Sequence, residues 1–557
     1  MLRLHSLHHS AVLGAFLFFS GLTISLQAVG EKTGPHTAAV NLEDYQSVLH
    51  VSAAAGDDVL GDGSVARPYA SLTHALEQAG RPAADERVAI LLAQGDYAEP
   101  TIALKARVDI YGGFETPGGE RDIHRHATRL DGGETNRIAY VTGDTRLDGL
   151  WLVNGRVRGQ GAALHIDGTS PAITNCLFVN NRTLIPPAWD PPLLHETAND
   201  GGAIACLNGA APRIEHCLFY DNSTECGRGA AVSAVQSAPI LRHNVFANNR
   251  AGLTDPMRSS DGGAVSFFNH AAGEFSGNVV VANEALTKND AGGVFVALWS
   301  DPVIEGNAIV ANTSGDDAGG LFLGGQEHRY DAPLDAYPRA EEFTIKVTRN
   351  VFVGNANGAR NSGAMRVTME SRAHFSHNLV TGNAGGFYLQ RSEINAERNT
   401  IWQDWKFVED KPSLGPSRFT GNILQGPAGS IEARVTFEHN MAEDTVPGGP
   451  HLAVADVFRD DGVSGELTEL VFDPRTCTTT VTTREALPAD AALAGRPIRL
   501  GDNPNGGQWR VVARAGGNEI VLWGRLEAVT KAPKYFSVLR TFTLKPDAPA
   551  NVGAVLQ

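Results

Sequence analysis

The sequence predicts an all-β solenoid, a rod of short strands stacked coil upon coil, and three observations predict it. One segment recurs with Asn at two slots five residues apart, as in Ile304-Glu305-Gly306-Asn307-Ala308-Ile309-Val310-Ala311-Asn312. A Gly-Gly pair opening an apolar run recurs ahead of that segment, as in Gly262-Gly263-Ala264-Val265 and Gly292-Gly293-Val294-Phe295. No helix-length segment lies between the two elements, and strands that repeat without crossover helices stack best as coils of a parallel β-helix.

The elements follow in chain order. Residues 1–28 read as a signal peptide: Arg3 gives a positive start, Ala11 to Leu26 is almost unbrokenly apolar, and Ala28 offers a small residue for cleavage. The run is short for a bilayer span and Glu31-Lys32 follows it. The expected location is therefore secreted, periplasmic or at the cell surface, with no membrane span left after signal removal. Residues 48–460 carry the solenoid, and 48–114 form its N-terminal capping segment. The first Asn slot is filled by Cys176, Cys217, Asn244, Asn278, Asn307, Asn350, Asn378, Asn399 and Asn422. Five places on stand Asn181, Asn222, Asn249, Asn283, Asn312, Asn355 and Asn383, then Asp404; Gly149 to Asn154 is read as an earlier copy. Copies lie from 21 residues apart (Asn378 to Asn399) to 43 (Asn307 to Asn350), while the offset of five never changes. Rigid strand-turn units joined by loops of free length behave this way. An amide both donates and accepts, so stacked Asn can form hydrogen-bonded ladders along the axis. A β-propeller needs about 40 residues per blade, which the shorter spacings disallow.

After residue 460 the repeat stops. Residues 461–557 read as a small β-module that caps or decorates the solenoid end, followed by a closing coil at Phe542 to Ala550. The five Cys, an odd number that leaves at least one unpaired, lack zinc-ligand spacing; they read as small buried hydrophobes with at most one disulfide among them.

The paired elements Gly-Gly-Ala-Ile (201–204) and Phe-x-x-Asn (Phe219 to Asn222, Phe246 to Asn249) resemble those of polymorphic outer-membrane proteins and of the wider pectate-lyase-like superfamily. The stretch Pro68-Tyr69-Ala70-Ser71-Leu72 with Tyr111-Gly112-Gly113-Phe114 is similar to the opening coil and capping helix of such exported proteins. The resemblance covers roughly residues 48–440 and implies a right-handed parallel β-helix. It implies function only coarsely, because the superfamily holds lyases, hydrolases, epimerases, adhesins and inert structural proteins.

Charge narrows the partners. The formal net charge is -16, and loss of Arg3 with the signal peptide takes it to -17. Such a surface repels nucleic acid and anionic lipid, and repels acidic polysaccharide unless a cation or a basic patch intervenes. Asp200, Arg228, Asp261, Asp290 and Asp317 precede successive Gly-containing strand starts. In register, Asp261, Asp290 and Asp317 would form an acidic row spaced by about 5 Å, an oxygen-rich site suited to Ca²⁺. Asp before Gly is also ordinary turn chemistry. Lys288, beside Asp290, is the nearest basic candidate for proton abstraction, and an exposed loop lysine is the plainer account of it. Long insertions mark a rim, where Trp189, Arg329 and Tyr330 are candidate sugar-binding residues. His216 and His243 occupy matching positions and read as a stacked surface pair or two ligands of an incomplete metal site.

Two functions follow as expectations. One is an exported protein engaging extracellular polysaccharide or a cell-surface glycan, as a lyase- or hydrolase-like enzyme. The other is a non-catalytic surface or adhesive solenoid. Gly315-Asp316-Asp317 resembles one polygalacturonase element, but that family's Gly-His-Gly and Arg-Ile-Lys elements are missing, as is the pectate-lyase Arg-x-Pro-x-x-Arg pattern.

Overall fold

The computed structural model describes residues 33–186, 199–253, 260–286, 289–325, 344–359, 362–390, 392–402, 416–425, 435–442, 452–453, 458–489, 491–504, 506–527 and 531–545. The proposed signal peptide lies outside them. Each full coil contributes one strand to each of four parallel sheets. One coil, for example, runs Ile240–Arg242 in sheet A, Val245–Ala247 in sheet B, Arg250–Ala251 in sheet D and Val265–Phe268 in sheet C. Among the described residues, sheets A and B each hold 14 strands, sheet C holds 10 and sheet D holds 7.

The corners explain the repeat. The residue before each Asn adopts a left-handed conformation, as at His243 (φ 52°) and Asn248 (φ 56°), which turns the chain sharply into the next sheet. The Asn that follows points inward, where Asn244, Asn249, Asn278 and Asn283 are fully buried. Each receives from the preceding coil and donates to the next. Asn249 donates its backbone N–H (2.9 Å) and its amide (2.8 Å) to Asn283 Oδ1, and Asn283 does the same to Asn312. The ladder between sheets A and B runs from Asn244 to Asn440, and that between B and D from Asn181 to Asn383. A buried amide left unpaired costs about 1–3 kcal/mol, so the ladders lock the register. Asn154 is displaced by one place from the expected copy. Strand pairing sets Leu150 and Gly155, not Gly149 and Asn154, against Cys176 and Asn181, and Asn154 instead accepts from Asn180 at 2.8 Å on the outside.

Aromatics fill the interior in register. Phe178, Phe219 and Phe246 stack at 4.7 and 4.9 Å with ring planes within 10° of each other. Helix α1 (Leu72–Ala79), capped by Ser71, closes the N-terminal end with Leu72, Ala75 and Leu76 buried in the same core. Cys176 and Cys217 sit opposite one another ahead of the paired strands Leu177–Val179 and Leu218–Tyr220. All five cysteines are buried free thiols, and burial pushes the Cys206 and Cys477 thiols up to about 12.

The C-terminal module is a closed antiparallel barrel built from strands Val463–Asp473, Thr478–Thr483, Glu519–Trp523, Gln508–Gly516, Pro497–Gly501 and Tyr535–Val538. It does not cap the solenoid end as expected. It lies on the flank, where Trp509, Val511 and Trp523 pack against the outer residues Val245, Val279, Ala308 and Val351 of sheet B. The reason is in sheet B itself: its outward positions are apolar, so that face needs a cover. In the described part of the expected closing coil, Leu544 bridges Phe458 antiparallel and Phe542 packs on Phe458 and Trp402; residues 546–550 lie outside the described residues.

Candidate functional site

The candidate site lies where sheet D turns into sheet C. Asp200, Arg228, Asp261, Asp290 and Asp317 each stand four residues before the strands that begin at Ile204, Val232, Val265, Val294 and Leu321. They form one column on successive coils. After Asp261 the backbone favours the Gly pair: Gly262 has φ 78°, and a Cβ on Gly263 would sit 2.3 Å from the Gly292 carbonyl oxygen.

The column divides into two parts. Buried Arg228 lies between Asp200 (3.8 Å) and Asp261 (3.9 Å), with its guanidinium 4.0 Å over the Phe268 ring. Asp200 Oδ1 accepts the backbone N–H of Arg228 at 2.8 Å. Burial nevertheless raises the Asp200 carboxyl above its ordinary value, with Arg228 opposing the shift. Asp261 Oδ1 accepts the backbone N–H of Asp290 at 2.9 Å, which fixes the step to the next coil.

Beyond that step the carboxylates converge. Asp290, Asp316 and Asp317 bring one oxygen each to within 4.8 Å of the others; Asp316 is exposed and the other two are half-buried. Two oxygens that both bind one Ca²⁺ at about 2.4 Å lie at most about 4.8 Å apart, so this spacing admits the ion. Asp317 also pairs with Arg366, whose guanidinium lies 4.6 Å over Tyr388 and donates to Gln390 Oε1 at 2.7 Å. Among the described residues this is the one group of three or more potential metal ligands.

The expected row of Asp261, Asp290 and Asp317 is thus brought into one column, but the convergent trio exchanges Asp261 for Asp316. Arg228 draws Asp261 the other way. The Gly315-Asp316-Asp317 run was the available signal for Asp316; an offset count from the Gly pair selects only Asp317. Lys288, Trp189, Arg329 and Tyr330 lie outside the described residues. His216 and His243 stack at 5.2 Å with His36 edge-on to His216 at 4.7 Å, and no carboxylate or thiol joins them in a ligand trio among the described residues.

Four parallel sheets wound around two asparagine ladders define a parallel β-helix. Residues 122–314 match the family model described as a right handed beta helix region, and with this topology the match places the solenoid in the right-handed parallel β-helix superfamily. No curated protein matches the chain.

Proposed function

We propose that this β-helix protein is exported and engages an extracellular polysaccharide through Ca²⁺ held at Asp290, Asp316 and Asp317. The observation that carries the reading is the convergence of these three carboxylates at the sheet D–C corner, with spacing that suits one calcium ion. Three carboxylates converging this closely repel one another, and a divalent cation relieves that repulsion. Coordination by three protein oxygens leaves positions for the carboxylate or hydroxyl oxygens of a sugar. Cleavage would take the lyase route, with Ca²⁺ neutralising a uronate carboxylate while a basic side chain removes the adjacent proton; Lys288 is the candidate base. Binding without cleavage is the second reading, favoured by the absence from the sequence of the hydrolase and lyase motifs named above.

Calcium is expected to raise the melting temperature, by the equivalent of about 2.7 kcal/mol at a hundredfold excess over Kd. Asp290→Ala and Asp316→Ala should each abolish that rise, whereas Asp261→Ala should retain it. A melting curve unmoved by calcium would remove the proposal. Screening uronic-acid and neutral polysaccharides with and without calcium, reading unsaturated products and reducing ends, separates lyase, hydrolase and binder.

A further inference from the structure

A second site lies on the outer face of sheet D, two coils nearer the N-terminus. The first residues of successive sheet D strands are Arg156, Arg182, Ser223, Arg250 and Glu284, directly in register. Three arginines in one column are unexpected on a chain of net charge -16. Ser223 interrupts the column with a side chain too short to fill its place. The result is a notch of about 130 Å³, lined by the three arginines with Asn180, Ser223 and the acidic residues Asp221 and Glu134. Neighbouring coils are about 4.8 Å apart, so Arg182 and Arg250 stand about twice that distance from each other across Ser223.

The pairing of these arginines leaves donors over. Arg182 meets Glu225, Arg250 meets Asp221 and Arg156 meets Glu134, each through one terminal nitrogen at 3.2 Å. The Arg182 Nε is buried and has no acceptor among the described residues. A buried guanidinium N–H without an acceptor is destabilising, and an anionic oxygen placed there would remove that cost. Guanidinium pairs also present planar N–H forks that match carboxylate and sulfate geometry.

We infer that the notch between Arg182 and Arg250 binds a single oxyanion, the carboxylate or sulfate group of an acidic glycan. Arg182 and Arg250 supply the charge, Ser223 supplies the room and a hydroxyl, and Asn180 supplies an amide at the rim. The next coil beyond Arg250 is the one that carries Asp290. One acidic chain lying along the axis would therefore meet guanidiniums first and the calcium-binding carboxylates next. Assignment of the anion to a glycan rests on the proposed function; affinity of the notch for an oxyanion does not.

The test is calorimetric titration of the full chain at constant ionic strength with sodium sulfate, sodium galacturonate and neutral galactose. Both anions should saturate one shared site and displace each other, and galactose should not bind. Arg182→Gln should weaken both anions by about tenfold or more, the loss expected for one charge-assisted hydrogen bond. Ser223→Asp, which keeps every ion pair and places a carboxylate in the notch, should do the same and carries the test if Arg182→Gln does not fold. Unsaturable anion binding, or wild-type affinity in Ser223→Asp, would overturn the inference. Asp290→Ala should leave anion binding intact, so a failed calcium response would strike the proposed function and spare the notch. Titration with a polyuronate and with a sulfated polysaccharide then identifies the source of the anion; a protein that binds both free anions and neither polymer would overturn the glycan assignment.

Discussion

At the scale of single residues, the asparagines carry the architecture. Asn307 accepts two donations from Asn278 and gives two to Asn350, besides donating to the Phe275 carbonyl at 2.9 Å. Asn307→Leu should therefore destabilise by roughly 1–3 kcal/mol, because buried donors of Asn278 lose their acceptor; urea denaturation reads this directly. Asp200 behaves oppositely. Its folded carboxyl titrates above the unfolded value of 3.8, so the ionised form costs stability near neutrality. That cost is relieved as pH falls through the folded value, and below the unfolded value the group contributes nothing. Asp200→Asn should thus gain melting temperature relative to wild type near neutral pH, and the difference should shrink towards about pH 4. A difference that moves in favour of wild type as pH rises would show that Arg228 and hydrogen bonding, rather than burial, govern this carboxyl.

At the scale of elements, the two broad sheets have different outer faces. Sheet A is polar outside: Arg242 pairs with Glu274 at 2.7 Å, and Glu215, Ser276 and Glu305 continue the column. Sheet B has Leu177, Leu218, Val245 and Val279 outside, all buried under the barrel or its neighbours. Trp509 anchors the contact, and its closeness to Gly354 leaves no room for a Cβ there: one would stand 2.3 Å from the indole. Trp509→Ala should cost roughly 2–4 kcal/mol, somewhat less than a fully buried Trp. Gly354→Ala should displace the indole as well as strain a residue at φ 67°. Both changes should appear in near-ultraviolet circular dichroism before any loss of strand content, and unchanged spectra would show that the barrel docks elsewhere in solution.

At the scale of the whole molecule, the barrel is part of the fold rather than an appendage. The N-terminal arm supports the same joint: Gly34 donates to the His243 carbonyl at 2.8 Å, and a Cβ on it would meet Trp523 of the barrel at 2.8 Å. A chain truncated after residue 457 should expose the sheet B stripe, bind a hydrophobic dye and self-associate. A monomeric, dye-silent truncation would mean that the solenoid is complete alone.

The sequence by itself determined the solenoid, its two ladder slots and the acidic column. Each depends on residues a fixed number of places from a turn, and parallel stacking turns such offsets into contacts one coil apart. Asn249 must meet Asn283 once the coils are in register. What only the tertiary structure decided was how groups at unequal offsets meet: Asp316 with Asp290, Arg228 with Asp261, the Arg182 notch, and the barrel on the flank. Those contacts depend on where side chains swing at a corner and on which apolar face finds a cover. They are set by packing and charge across distant segments, which local periodicity does not encode.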